Sequence, residues 1–220
     1  DAAILSLTLK NGRVFPEGDE YAPNHGGGVA IRKIDNQQAW RTPTDGDGGT
    51  VSNCVITGCS ARMVNNASGA HAAAIACMSA KGLVTHCVII NNSSSRWAPS
   101  STKGMIVSVM AGQMRNCLVE ANRVTNDDGG CVISATGGCV VNCTVIKNSG
   151  AGASSAPINA SGSAEVVNTV IAGNTTTSST EQYACWKGSP SQFVNCVTDG
   201  SVAINETCAV STLENMKFLV

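Results

Sequence analysis

One six-residue block recurs along the chain and restricts what it can fold into. It runs Val51-Ser52-Asn53-Cys54-Val55-Ile56, then returns at Val84 to Ile89, Met114 to Val119, Val140 to Val145, Val166 to Ile171 and Phe193 to Thr198. Its fourth position falls on Cys54, Cys87, Cys117, Cys143, Thr169 and Cys196, with successive steps of 33, 30, 26, 26 and 27 residues. The shortest step sets a structural unit, and the longer ones carry insertions. Leu7-Thr8-Leu9-Lys10-Asn11-Gly12 has the same apolar parity and counts as one further, degenerate unit.

Side chains of a strand alternate between faces, so the fourth and sixth residues of the block point inward together. A bend at the Asn or His in third place explains why the first residue points inward too. Five residues after the Cys position stand Asn92, Asn122, Asn148 and Asn174, with Cys59 and Ser201 as exceptions. Such a column predicts an internal amide ladder at a second turn. About twelve residues before each Cys position lies another strand, around Ile75, Met105 to Val107, Cys131 to Ile133 and Pro157-Ile158, often introduced by glycine. Three-and-four apolar spacing is not found over several turns, which argues against helices.

These features predict an all-β chain of one domain, residues 1–220: a right-handed parallel β-helix (β-solenoid) of about seven coils with irregular loop insertions. Each coil has two strands and room for a short third. A single coil cannot bury its inward side chains alone, whereas stacking at roughly 4.8 Å pairs every strand with the coils above and below. Like residues then lie on like. Cys54, Cys87, Cys117, Cys143 and Cys196 become a column of small, mostly free, buried thiols, and Asn92, Asn122, Asn148 and Asn174 become the amide ladder. Eleven cysteines otherwise suggest a disulfide framework, but the count is odd, and parallel strands direct neighbouring Cβ atoms side by side.

The charge balance, 14 Lys plus Arg against 15 Asp plus Glu, gives no general attraction to phosphate backbones, so nucleic acid is not an expected partner. No apolar run reaches the length of a membrane-spanning helix, and Asp1 is not followed by a basic and then apolar export signal.

The Gly26-Gly27-Gly28-Val29 stretch, the Val-x-Asn-Cys-x-Ile blocks and the Asn column, which together cover nearly the whole chain, resemble the right-handed parallel β-helix repeat proteins of the pectin-lyase-like superfamily. The nearest likeness is to bacterial surface proteins of the polymorphic outer-membrane-protein and autotransporter-passenger types. That resemblance implies a secreted or cell-surface location and leaves activity open, since lyases, glycosidases, tailspikes and adhesins share the scaffold.

In enzymes of this fold the groove lies along one sheet, flanked by long turns, so the insertions at 13–25, 32–48, 60–72, 93–103, 123–128 and 175–183 are where chemistry is sought. Asp127 and Asp128 form a carboxylate pair of the kind glycosidases use, with Arg123 nearby as a basic group for a lyase. The Gly-His-Gly and Arg-x-Lys elements of the related glycosidases are missing, and Gly129-Gly130 matches Gly27-Gly28 in the repeat, which favours a polar turn. Asp45 and Asp47 alternate on a glycine-rich backbone, a fragment of a calcium loop without its remaining ligands. Calcium is therefore the one cofactor considered, and the expectation is none. His25, His71 and His86 are too scattered for a zinc site. Trp97, Tyr21 and Tyr183, with Arg96 close to Trp97, are candidates for stacking on sugar rings.

A complete repeat scaffold without a complete catalytic constellation leads to an extracellular structural or adhesive module, binding glycans or other cell-surface components. The alternative is a polysaccharide lyase or glycoside hydrolase working in a groove. The ends of an open solenoid expose strand edges, so assembly of copies end to end is a further expectation.

Overall fold

The computed structural model describes residues 2–14, 27–31, 48–63, 72–96, 104–125, 130–151, 155–176, 186–200 and 204–211. It is a parallel β-solenoid with four sheets running along the stack, of seven, eight, six and five strands, here numbered I to IV. Every strand pairs in parallel with its equivalent in the next coil, as in Val88-Ile89-Ile90 against Leu118-Val119-Glu120. The one helical element among the described residues is a single 3₁₀ turn, Pro190–Gln192.

One coil shows how the repeat is built. Gln113–Arg115 lies in sheet I and Leu118–Glu120 in sheet II, so the recurring block spans the corner between the two. Arg123–Thr125 lies in sheet III and Cys131–Ala135 in sheet IV. Two expectations are corrected. There are four strands per coil, and sheet III takes over the start of what was expected to be insertion, at Arg13–Val14, Ser60–Met63, Ser93–Arg96, Arg123–Thr125 and Thr175–Thr176. The fully four-sided stack also makes about four turns rather than seven, because sheet IV runs only from Val29–Ile31 to Ala156–Ala160 while sheets I and II continue beyond it.

The corners explain the short repeat. Between sheets I and II the residues Ser6, Asn53, His86, Asn116, Asn142, Asn168 and Asn195 all take φ of 50° to 55°. This left-handed conformation turns the chain in one residue, and asparagine tolerates it better than most side chains. A second left-handed residue, at Asn11, Gly58, Asn91, Ala121, Lys147 or Gly173, turns sheet II into sheet III. Directly after the bends from the second coil on, a side chain enters the interior, Cys or Thr169 at the first corner and Cys59 followed by the amide ladder at the second.

The core consists of stacked columns. Val51, Val84, Met114, Val140, Val166 and Phe193 line sheet I, and Ile56, Ile89, Val119, Val145 and Ile171 line sheet II, each at most 1% exposed. Burying an aliphatic side chain of this size contributes about 1.5–3 kcal/mol, and the repetition multiplies a modest term. Glycine is demanded where coil meets coil: a Cβ on Gly112 would overlap the carbonyl oxygen of Gly82 in the coil before. Sheet IV differs from the others in that its three middle strands are buried on both faces, with Ala72, Ala76, Met105 and Cys131 forming a small second cluster apart from the main core.

Candidate functional site

The outer face of sheet III carries the chemistry that the solenoid presents at regular spacing. Register places Arg13, Ser60, Ser93, Arg123, Ser149 and Thr175 in one column, six coils in succession. A second column, two residues further along each strand, holds Arg62, Ser95, Thr125 and Ala151. The residues between them, Ala61, Ser94 and Val124, point inward and are buried. Arg13, Arg62 and Arg123 are exposed. No Asp or Glu stands in the strands of this sheet, so its outer surface is a hydroxyl-lined, basic strip. Arg96 closes its strand beside Met63 of the neighbouring coil. Guanidinium forks and hydroxyls repeating about every 4.8 Å can hydrogen-bond a linear, oxygen-rich ligand laid along the stack.

Arg123, considered first as a basic catalyst, is thereby placed on a strand in line with Ser93 and Ser149. Asp127, Asp128, Asp45, Asp47, Trp97, Tyr21 and Tyr183 lie outside the described residues. Arg13, Arg62 and the serine column were missed in the sequence, although a signal was there: each column residue directly follows the ladder position, as Ser93 follows Asn92 and Thr175 follows Asn174.

Behind this face the ladder fixes the turn. The Asn92 Oδ1 accepts from the backbone N–H of Cys59 at 2.9 Å, the Asn122 Oδ1 from that of Asn92 at 2.9 Å, the Asn148 Oδ1 from that of Asn122 at 2.9 Å and the Asn174 Oδ1 from that of Asn148 at 3.0 Å. Each Nδ2 of Asn92, Asn122 and Asn148 also donates to the next Oδ1, at 3.0 Å. A second donation reaches a carbonyl of the preceding coil, Ile56, Ile89 and Val119 in turn, at 2.9–3.0 Å. Beyond the last rung, the Gly173 N–H donates to the Asp199 carboxylate.

The thiol column is bonded more loosely. Each thiol donates to the carbonyl two residues back, Cys87 to Thr85 at 3.2 Å and Cys117 to Arg115 at 3.2 Å, with a longer approach to the coil before, 3.6 Å to Val51 and 3.9 Å to Val84. Thr169 makes the same bond with its hydroxyl, to Val167 at 3.0 Å. Register adds a member the repeat spacing concealed: Ala209 pairs with Val197, which sets Cys208 on Cys196 after a step of 12 residues.

None of Cys54, Cys59, Cys77, Cys87, Cys117, Cys131, Cys139, Cys143, Cys196 and Cys208 is in a disulfide, and all but Cys139 are buried. Burial pushes the Cys77 and Cys196 thiols up to about 11. Hydrogen bonding to Cys143, with burial, pushes Cys117 up to about 12, while the Cys87 thiol is raised first by its bond with Cys117 and then by burial. Cys143 moves down, its interaction with the Cys117 side chain outweighing burial. The raised thiols, Cys77, Cys87, Cys117 and Cys196, are held protonated and are poor nucleophiles and poor metal ligands. Among the described residues no group of three or more His, Cys, Asp or Glu side chains is placed to hold a metal ion, and no helix is long and apolar enough to cross a membrane.

Comparison with known proteins returned no matching protein family, no matching curated protein and no matching solved structure.

Proposed function

We propose that the chain is a non-catalytic structural or adhesive module, secreted or displayed at a cell surface, that lays glycans along the outer face of sheet III. It is read as a parallel β-helix of the pectin-lyase-like kind, in which the scaffold displays a surface instead of enclosing a pocket. The observation that carries this reading is the register of Arg13, Ser60, Ser93, Arg123, Ser149 and Thr175 in one outward column. A rigid sheet holds such side chains at fixed spacing without a loop having to order, which lowers the entropic cost of binding. A sugar polymer offers hydroxyls or carboxylates at comparable intervals, and arginine meets a carboxylate with two parallel hydrogen bonds.

The test is a glycan array probed with the intact chain and with the double variant Arg13→Ala/Arg123→Ala. Both positions are exposed, so the variant keeps its stability within about 0.5 kcal/mol. Binding that weakens at least tenfold in the double variant, with the glycan recovered intact, supports the reading. An array without any bound glycan would sink it. So would release of reducing ends or unsaturated uronates that disappears in Asp127→Asn or Asp128→Asn, which would identify a polysaccharide-degrading enzyme.

A further inference from the structure

Sheet II differs from sheet III on its outward side. Over four successive coils, Thr8–Lys10, Val55–Thr57, Val88–Ile90 and Leu118–Glu120, register sets Thr8, Val55, Val88 and Leu118 in one outward column. Lys10, Thr57, Ile90 and Glu120 form the other. None of the eight is buried. Val55, Val88, Ile90 and Leu118 thus make one aliphatic patch in contact with water, whereas the outward positions of sheet III in the same coils carry Arg, Ser and Thr. Further along the second column Ile146 and Ala172 are buried, so the open patch centres on these four coils.

The charges on this patch flank it. Lys10 is exposed, and the one ion pair that joins two described residues runs from Lys147 Nζ to Glu120 Oε1 at 3.0 Å, which engages one of the two carboxylate oxygens. Lys10 and Glu120 stand three coil steps apart in one column, about 14 Å along the stack. A two-fold axis parallel to the strands, midway between Val55–Thr57 and Val88–Ile90, exchanges their positions. It lays a second copy on the face with its stack reversed and sets Lys10 opposite the partner's Glu120, twice. Val55 then meets Val88, Ile90 meets Thr57 and Leu118 meets Thr8. With the two stacks running the same way, each charge would face an uncharged side chain of its own coil instead. An apolar centre with charged groups at its rim is the usual anatomy of a protein interface, and here a second copy supplies the complement of each group by symmetry.

We propose that the chain forms a closed two-fold dimer through the outward face of sheet II, with Val55, Val88, Ile90 and Leu118 at its centre and a Lys10–Glu120 ion pair on either side. An isologous contact of this kind occupies the face it uses, so assembly stops at two copies. Four strands from each copy make a small contact, at the weak end of protein interfaces. The inference goes beyond the glycan reading, and neither depends on the other, because the arginine and hydroxyl columns of sheet III lie past the next corner.

Sedimentation equilibrium of the full chain over a hundredfold concentration range tests this, with Lys10→Glu and Glu120→Lys as single variants. The wild type is expected to pass from monomer to dimer and no further, at a midpoint that moves to higher concentration as salt is added. Each variant alone sets like charges opposite each other twice, and should need at least tenfold more protein to dimerise. Mixing the two is decisive, because every contact between one variant and the other is again a pair of opposite charges: the mixture dimerises one to one, near the wild-type midpoint. The double variant Lys10→Glu/Glu120→Lys should recover in the same way. Neither position is buried, and an unchanged melting temperature verifies that each variant folds. Where one melts early, Val88→Lys at the centre of the patch replaces it and must stay monomeric. A wild type that is monomeric throughout overturns the proposal, even if it binds lipid vesicles or another protein. So do assembly past the dimer and a mixture that dimerises no better than its components.

Discussion

The two tight corners of each coil solve the same geometric problem with different chemistry. At the corner between sheets I and II, five of the seven left-handed residues are asparagine, namely Asn53, Asn116, Asn142, Asn168 and Asn195, with Ser6 and His86 in the other two coils. The interior position that follows is loosely bonded, taking Cys in most coils and Thr at 169. At the corner between sheets II and III the left-handed residue is permissive and includes Ala121 and Lys147, which have no local means of favouring that conformation. There the interior position is Asn in four successive coils, at 92, 122, 148 and 174, following Gly12 and Cys59 in the first two. Specificity sits on the bend itself at one corner and one residue later at the other. Where a buried amide ladder over-determines the turn, the bend can accommodate a strained residue.

The largest predicted effect is therefore at the ladder corner. Replacing Asn122 with Ala removes the acceptor of the Asn92 N–H and Nδ2 and the donor to Ile89 O and Asn148 Oδ1. Each buried group left unsatisfied costs about 1–3 kcal/mol, so the loss is about 3–6 kcal/mol, comparable with the whole stability of many domains. Denaturant unfolding measures it; a loss below about 1 kcal/mol would mean the ladder does not hold the corner. Asn174, half-buried on the last rung, is expected to cost less than Asn122 when replaced in the same way.

Alkaline pH probes the other column. Cys77, Cys117 and Cys196 have folded pKa values above the ordinary thiol value, so below about pH 9 the protonated folded form keeps their advantage, while Cys143, moved down, ionises first in the folded form and contributes with the opposite sign. As pH rises past 9, the unfolded chain loses these protons before the folded one does, and stability falls. The decline is on the order of 1 kcal/mol per thiol per pH unit until the folded values of about 11 to 12 are reached. Melting temperatures from pH 7 to 10 should be level to about pH 8 and fall beyond it; a level curve to pH 10 would show that the thiols are accessible to water.

A smaller effect separates donor from size in that column. Cys117→Ser keeps a hydrogen bond to Arg115 O, as Thr169 does at its own level, and should cost about 1 kcal/mol or less. Cys117→Ala loses both the bond and the packing, for about 1–2 kcal/mol. A serine variant less stable than the alanine variant would show that packing alone maintains the column.

The coil was legible in the sequence because stacking forces like onto like: the Cys position marks one corner, and the strands on either side of it alternate strictly. The strands of sheet III were not legible as strands. They are short, and Ser93 to Arg96 or Ser149 to Ala151 carry little of the β-branched apolar signal by which strands are recognised. Their pairing is imposed by the coils above and below, which local composition does not report. Cys208 was hidden for a related reason, since a coil of 12 residues breaks the period even though it continues the column. The outward Arg and Ser column carries residue types common in polar turns, so only its register across the coils marks it as one face of a sheet.

The smallest prediction bears most directly on the contrast between the corners. Ala121 has φ of 52° and Asn116 has φ of 54° in the same coil, so the two bends share a geometry and differ in who holds it. A left-handed alanine costs about 1 kcal/mol relative to glycine, partly offset by the extra freedom glycine gives the unfolded chain, so Ala121→Gly should stabilise by about 0.5 kcal/mol. Asn116→Gly should change stability by only a few tenths of a kcal/mol, because asparagine already accepts the bend and loses only its contact with His86 at 3.4 Å. Paired denaturation curves for the two variants give the difference directly. Equal shifts would mean that the ladder behind Ala121 carries no strain, and the distinction between a bend that holds itself and one that is held would be lost.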